Sequence, residues 1–401
     1  MARNYFTADD VATFSQATIK PGDRWIYSAD FNVKKVPHER VDCELDDIRK
    51  ISDAQGITCI LAHEGRNGDA RHLDFVAQYL SEQLTRPVQY FPENATDAAQ
   101  KFADALKPGD IAVMGNTRMN HGEERNDLVL AAEYAMLGNQ VVIGGFGKAH
   151  RKNASNVGIL ECRRGYLATS QEDEMAKLSL WAGPEPNKYS VAVLGGMKKE
   201  KITEGLFGFA PHYDAIIPGG IVLNAILKQQ YGNIGTSKID DNGATFEKEI
   251  EQALKQYGDK IIVPREVIVA QKDGDHWGYF GRINIAQLES VPDECAIVSY
   301  VMPFDMQCAL ARVSQYKGRL VVAGTPDIAT LAEGYASRQL RYWLKEIGPN
   351  ALILGGDSAH DLQASNAVVS TGGGSALTFL TTGTTAVYEA LKEDATIRGK
   401  P

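Results

Sequence analysis

The chain has 401 residues, 44% hydrophobic and 23% charged, the balance of a folded protein with more than one core. A formal net charge of −9 argues against a general nucleic-acid binder, no apolar run reaches membrane-spanning length, and the first residues lack the basic-then-apolar pattern of a leader. Five scattered cysteines (Cys43, Cys59, Cys162, Cys295, Cys308) never form a close pair, which predicts reduced thiols in a cytoplasmic protein rather than a disulfide framework or a zinc site.

The elements alternate from the start. Trp25 to Ala29 reads as a strand ending in Asp30-Phe31-Asn32, and Ile57 to Ala62 as a second ending in His63-Glu64-Gly65-Arg66. A helix over 71–84 sets Leu73, Val76, Ala77, Leu80 and Leu84 on one face. A short strand at Val88 to Phe91 and a helix at 95–106 follow. Ile111 to Met114 is a strand ending in Gly115-Asn116-Thr117-Arg118; a helix spans about 125–138; Val141 to Ile143 leads into the loop carrying Lys148, His150 and Arg151. A helix over 170–181 runs into Gly183-Pro184, a candidate hinge. The rhythm then restarts with strands at Val191 to Leu194, Ala215 to Ile217, Lys260 to Val263, Leu320 to Ala323, Ala351 to Leu354 and Val368 to Ser370. The stretch 273–282 reads as a loop excursion. This alternation predicts α/β architecture: two doubly wound parallel-sheet, Rossmann-like domains facing a cleft and bending about a hinge. The expected divisions are 1–183, 184–380 and a segment, 381–401, packing back on the first domain.

The loops after the strands differ in chemistry. Those of the first half carry Asp, Asn, His and Arg; those of the second carry Gly-Gly. One arginine at a strand end is ordinary solvated surface, but Arg40, Arg66, Arg118 and Arg151 come from four separate loops. Arginine suits bidentate recognition of carboxylate and phosphate. The triple glycine Gly372-Gly373-Gly374, between a strand and a helix start, suits a phosphate cradle. The residues thus predict a small dianionic ligand in one domain and a nucleotide in the other, with phosphoryl transfer between them.

At this point the chain resembles phosphoglycerate kinases over nearly its whole length. YSADFNV (27–33) resembles the family's strand ending in Asp-Phe-Asn, AHEGR (62–66) its Ser-His-Leu-Gly-Arg, and GNTRMNHGE (115–123) its Glu-Asn-x-Arg loop. GFGKAHRKNASNVG (145–158), VLGGMKKEKI (193–202), VPREVIVAQ (263–271), LGGDSA (354–359) and VSTGGGSALTFL (369–380) resemble later landmarks in order. The resemblance implies ATP-dependent phosphorylation of a carboxylate to an acyl phosphate, on 3-phosphoglycerate or a close analogue, by a cytoplasmic monomer using Mg²⁺. It implies that Arg66, Arg118 and Arg151 hold the substrate phosphate, Asp30 and Asn32 orient hydroxyl and carboxylate, and His63 is a polar contact. Arg40, Lys198 and Gly373 become the catalytic groups. Lys201, Gly372 and Ser358 lie by the phosphates, Gly219 and Gly220 border the base, and Asp357 engages the metal.

The sequence departs from the family at several places. Lys198-Lys199-Glu200-Lys201 is one residue shorter than the family's Lys-Val-Ser-Asp-Lys. Val322 to Asp327 replaces its Trp-Asn-Gly-Pro-Met-Gly-x-Phe-Glu loop, and Tyr300-Val301-Met302-Pro303 its Asp-Ile-Gly-Pro. Ile143-Gly144-Gly145 stands where the family has Asn-Asp-Ala, and Glu266 where it has Asp. These changes leave two other readings open: a paralogue that passes the acyl phosphate to an amine, and a non-catalytic binder of phosphorylated metabolites and nucleotides.

Overall fold

The structure, a computed structural model, describes residues 7–66, 71–240, 245–274, 276–328, 331, 334–363 and 366–399, with Tyr279 described by its backbone alone. Residues 1–6 and Asp275 of the 273–282 stretch lie outside it. The chain divides into two compact units: the described residues up to Ser179 join those from Thr384 onward, and Leu180–Gly383 form the other. Among the described residues no helix is long and apolar enough to cross a membrane.

The first unit is built on a six-stranded sheet: β1 (Arg24–Ser28), β2 (Ile57–Leu61), β3 (Val88–Tyr90), β4 (Ile111–Val113), β5 (Gln140–Ile143) and β6 (Arg164–Leu167), in the order β3-β4-β2-β1-β5-β6. All pairs are parallel. Every residue of β2 is buried, as a strand covered on both faces must be. Helix Asp74–Leu84 buries Val76, Ala77, Leu80 and Leu84, the stripe its 3.6-residue period sets out. Thr96 opens helix Asp97–Ala105 by accepting the Ala99 N–H at 3.1 Å, and Asp127 opens Leu128–Ala135 by accepting those of Val129 and Leu130. The C-terminal helix, Ala386–Arg398, packs on β6: Asp394 accepts the Gly165 N–H at 3.0 Å, and the Tyr388 hydroxyl donates to the Thr7 carbonyl at 2.9 Å.

The second unit contains β7 (Ser190–Leu194), β8 (Ala215–Pro218), β9 (Glu266–Asp273), β10 (His276–Asn284), β11 (Cys295–Val301), β12 (Arg319–Ala323), β13 (Ala351–Leu354) and β14 (Val368–Ser370). Five form a parallel sheet ordered β14-β13-β12-β7-β8; three form an antiparallel sheet ordered β10-β9-β11. Arg319 is buried at the head of β12 and, among the described residues, is not paired with a carboxylate. Its guanidinium donates to the Ser190 hydroxyl at 2.8 Å and to the carbonyls of Ala182 and Gly183, and it lies 4.8 Å from the Tyr213 ring.

Two expectations are corrected. The 273–282 stretch is the turn and second strand of a hairpin, not a loop excursion. Gly274 makes the turn at φ +57°, and a register shift between Gly278 and Gly281 hides the two-residue alternation in the sequence. Lys260 to Val263 is not a strand: it makes one bridge, Ile216 with Ile261, through Ile216 N–H to the Lys260 carbonyl and Ile262 N–H to the Ile216 carbonyl. Pro264, lacking an N–H, cannot extend that ladder. Strand β6 carries no turn signal of its own and was not expected.

Three turns at the ends of β7, β8 and β12 touch backbone to backbone. Gly196 N–H donates to the Thr325 carbonyl at 2.8 Å, Gly220 N–H to that of Pro326 at 3.1 Å, and Ile221 N–H to that of Gly196 at 2.9 Å. A Cβ on Gly195 would collide with the Thr325 carbonyl, and one on Gly219 with that of Pro326. Gly195→Ala is therefore expected to cost the second unit about 1–3 kcal/mol, read as a lowered denaturant midpoint of its unfolding transition.

Candidate functional site

In a parallel sheet every strand ends at the same edge, and in the first unit that edge gathers the polar loops. Asp30 and Asn32 follow β1, His63 and Arg66 follow β2, Arg118 follows β4, and Arg151 follows β5. Asn32, Gly65, Arg66, Arg118, Glu124, Arg151, Lys152 and Asn153 line one cavity of about 780 Å³. Arg40 reaches the same edge from the helix at Glu39–Asp42 and lies 3.5 Å from the buried carboxylate of Asp30.

The loops that present these groups are tied down. Asn32 accepts the Gly65 N–H at 3.1 Å, joining the β1 and β2 loops. Asn116 accepts the Arg118 N–H at 3.0 Å and donates to the carbonyls of Glu64 and Arg71 at 2.7 and 2.8 Å. Arg118 is only 2% exposed. It pairs with the exposed Glu124, while its Nε is buried with no acceptor among the described residues, a donor left for a ligand. Burial, then the nearby Arg151, works against its charged form, and a bound anion would relieve both. His63 is buried and its pKa is pushed well below 6.5, first by burial and then by the charges of Arg118, Lys148, Arg151 and Arg40. The ring is therefore held neutral near pH 7 and offers a polar group rather than a cation. Lys148 lies beneath the pocket, donating to the Ser28 hydroxyl at 2.6 Å; burial pulls its pKa down to about 8 against the opposing pull of Asp30, Glu123 and Glu44.

In the second unit the named residues also stand at the carboxyl ends of parallel strands: Lys198 and Lys201 after β7, Gly219 and Gly220 after β8, Asp357 and Ser358 after β13, Gly372 and Gly373 after β14. Lys198 is exposed. Lys201 is partly buried at the start of the wide-wound turn Lys201–Leu206, where burial and then Lys198 pull its pKa down to about 8. Gly373, at φ +54°, opens helix Gly373–Thr382, and nothing lies within 4 Å of where a Cβ would be, so its backbone is open to a ligand. Asp357 is exposed in the first turn of Gly356–Asp361. A second cavity of about 400 Å³ lies beside Gly220, lined by Leu223, Trp277, Ile297, Val298, Pro326 and other residues.

Sequence reasoning did not single out Glu124, Lys152 or Asn153 as lining the first cavity, nor the buried Lys148. Lys148 and Lys152 stand at variable positions of the family string at 145–158, and Glu124 lies just past the string at 115–123. Trp277 was missed because its hairpin was read as a loop.

The phosphoglycerate kinase family model matches residues 21–383. The phosphoglycerate kinase of Thermosipho africanus is 30% identical over 386 residues, covering 90% of this chain and 92% of that one. That of Chloroherpeton thalassium is 30% identical over 401 residues, covering 93% and 96%. Among solved structures, phosphoglycerate kinase from Coxiella burnetii superposes with a TM-score of 0.74 at 24% identity, covering 97% of this chain and 100% of that one. The enzyme from Pyrococcus horikoshii gives 0.71 at 20%, covering 94% and 100%. These two likenesses concern the fold.

Nuclear magnetic resonance of ring-labelled protein checks the His63 assignment. Its ring is expected to stay neutral from about pH 8 down past the ordinary midpoint of about 6.5. A midpoint at or above that value would contradict the burial and charge argument.

Proposed function

The chain belongs to the phosphoglycerate kinase family, phosphotransferases with a carboxyl group as acceptor, and we propose that it transfers the terminal phosphoryl group of ATP to the carboxylate of 3-phosphoglycerate or a close phosphorylated analogue. The observation that carries this reading is the cavity uniting Asn32, Arg66, Arg118 and Arg151, with the Arg118 Nε buried and without an acceptor among the described residues. Three arginines around one cavity suit a phosphate dianion better than a carboxylate alone.

In this reading Arg66, Arg118 and Arg151 hold the substrate phosphate, while Asp30, Asn32 and neutral His63 orient the hydroxyl and carboxylate. A carboxylate is already nucleophilic, so no general base is needed; the chain aligns the reactants and stabilises charge on the moving group. Arg40 does so from the acid side and Lys198 and the Gly373 backbone from the nucleotide side. Lys201, Gly372 and Ser358 hold the remaining phosphates. Gly219 and Gly220 border the base, and the 400 Å³ cavity beside Gly220, with its apolar walls and Trp277, suits a planar ring. The five unpaired cysteines suit a reducing cytoplasm.

The donor set fits a magnesium ion held mainly by the nucleotide. Among the described residues no cluster of three or more His, Cys, Asp or Glu is placed to hold a metal by itself, and Mg²⁺ commonly takes one or two carboxylates plus phosphates. Asp357 is the carboxylate that would hold it; when bound, the ion neutralises phosphate charge.

A coupled assay is expected to show ADP release that requires both Mg²⁺ and 3-phosphoglycerate. Arg40→Ala and Lys198→Ala should each lower kcat about 100-fold or more. A folded sample that binds both ligands without turnover would replace this reading with the non-catalytic one. An amine adduct by mass spectrometry would replace it with the amide-forming one.

A further inference from the structure

A buried carboxylate beneath the acid pocket takes no part in the chemistry above. Glu44 is 0% exposed. It precedes helix Leu45–Asp53 but does not cap it; its side chain turns toward the edge of the sheet. Oε1 accepts the Gly145 N–H at 2.6 Å; Oε2 accepts the Tyr27 hydroxyl from β1 and the Ser170 hydroxyl at 3.1 Å from helix Thr169–Leu178.

The turn it grips is shaped for this. A Cβ on Gly144 would lie 2.5 Å from Glu44 Oε2, and one on Gly145, at φ +73°, would lie 2.5 Å from the Asp30 Cβ. From the other side Gln171 donates to the carbonyls of Ile143 and Gly144 at 3.1 and 3.0 Å. The chain then passes Gly147, where a Cβ would collide with the Asp30 carboxylate, to Lys148 and on to Arg151.

We infer that Glu44 is a positioning residue for the acid pocket: its carboxylate pins the Gly144–Gly145 turn and thereby sets the loop carrying Lys148 and Arg151 against Asp30 and Arg40. The inference rests on the reading that this cavity takes a phosphorylated acid. A buried N–H needs an acceptor, and the Glu44 carboxyl supplies an oxygen for it in either protonation state.

The groups facing Glu44 are Tyr27 on β1, Asp47 and Cys43 on its own segment, and Lys148 from the pinned loop. Burial pushes Glu44 from 4.5 up to about 7, opposed by the hydrogen bond from Tyr27. The folded state therefore keeps this proton longer than the unfolded chain. Its contribution to stability is present at low pH, is lost as pH rises from 4.5 through about 7, and changes no further above that.

Glu44→Ala removes the acceptor, whereas Glu44→Gln keeps an oxygen for Gly145 and removes the charge. Calorimetry with 3-phosphoglycerate should show affinity falling about tenfold in Glu44→Ala and largely restored in Glu44→Gln, with Mg–ATP affinity at the parent value in both. Hydrogen exchange over 144–151 should quicken in Glu44→Ala alone. Unchanged exchange there, or unchanged 3-phosphoglycerate affinity beside a parent that binds it, overturns the inference. If the parent itself fails to bind 3-phosphoglycerate, the functional reading fails and exchange alone decides whether Glu44 pins the loop. If Glu44→Ala does not fold, Glu44→Asp takes its place: its shorter side chain draws the carboxylate back from the Gly145 N–H, so exchange over 144–151 should quicken, and unchanged exchange overturns the inference.

Discussion

Parallel strand pairing is the constraint on which both units depend. A strand that runs parallel to its neighbour must be left by a crossover, so every strand delivers its chain at one edge and its helix to a face. Six such strands in the first unit and five in the second fix where loops can converge. Once the edge is set, the function of each unit follows from the side chains its loops carry. In the first unit these loops bring arginines, an asparagine and an aspartate to one edge; in the second they bring glycines and two lysines. The helices supply apolar stripes that bury the sheet faces, each fully buried aliphatic or aromatic side chain being worth about 1.5–3 kcal/mol.

Polar residues do the fastening at the edges. Asn32, Asn116 and Gln171 each bridge loops through backbone groups, which satisfies amides and carbonyls that the ladder leaves over. The replaced 322–327 segment is fastened in the same way. Asp327 accepts the Ser299 hydroxyl at 2.5 Å, the Ser337 N–H at 3.1 Å and the Ser337 hydroxyl, tying β11 to helix Tyr335–Ile347. Its carboxylate is thus committed to the unit's own architecture. Arg319 plays a comparable part at the other end of β12, where carbonyls and an aromatic face stand in for an anion.

Much of this was legible in the sequence. Short apolar runs followed by Asp-Phe-Asn, Gly-Asn-Thr-Arg or Gly-Gly-Asp mark both a strand and its loop chemistry, so the parallel sheets and the four-arginine loops could be read together. The hairpin over 266–284 could not, because glycines and a register shift break its alternation. The bridge at Ile261 looked like a strand because β-branched residues favour strands whether or not a partner is there. Glu44 and Lys148 were invisible for another reason: a charged residue in a polar stretch reads as surface, and only the fold shows that both are buried. Their burial is intelligible afterwards from the partners each acquires, a glycine amide and a phenol for one, a serine hydroxyl for the other.

The missing side chain at residue 144 has a consequence for how this chain can be altered. The Glu44 carboxylate lies 2.5 Å from where a Cβ of residue 144 would stand, so a larger residue does not fit there while Glu44 stays. The coupling runs one way: residue 44 can shrink beside glycine, whereas residue 144 can grow only after residue 44 has shrunk.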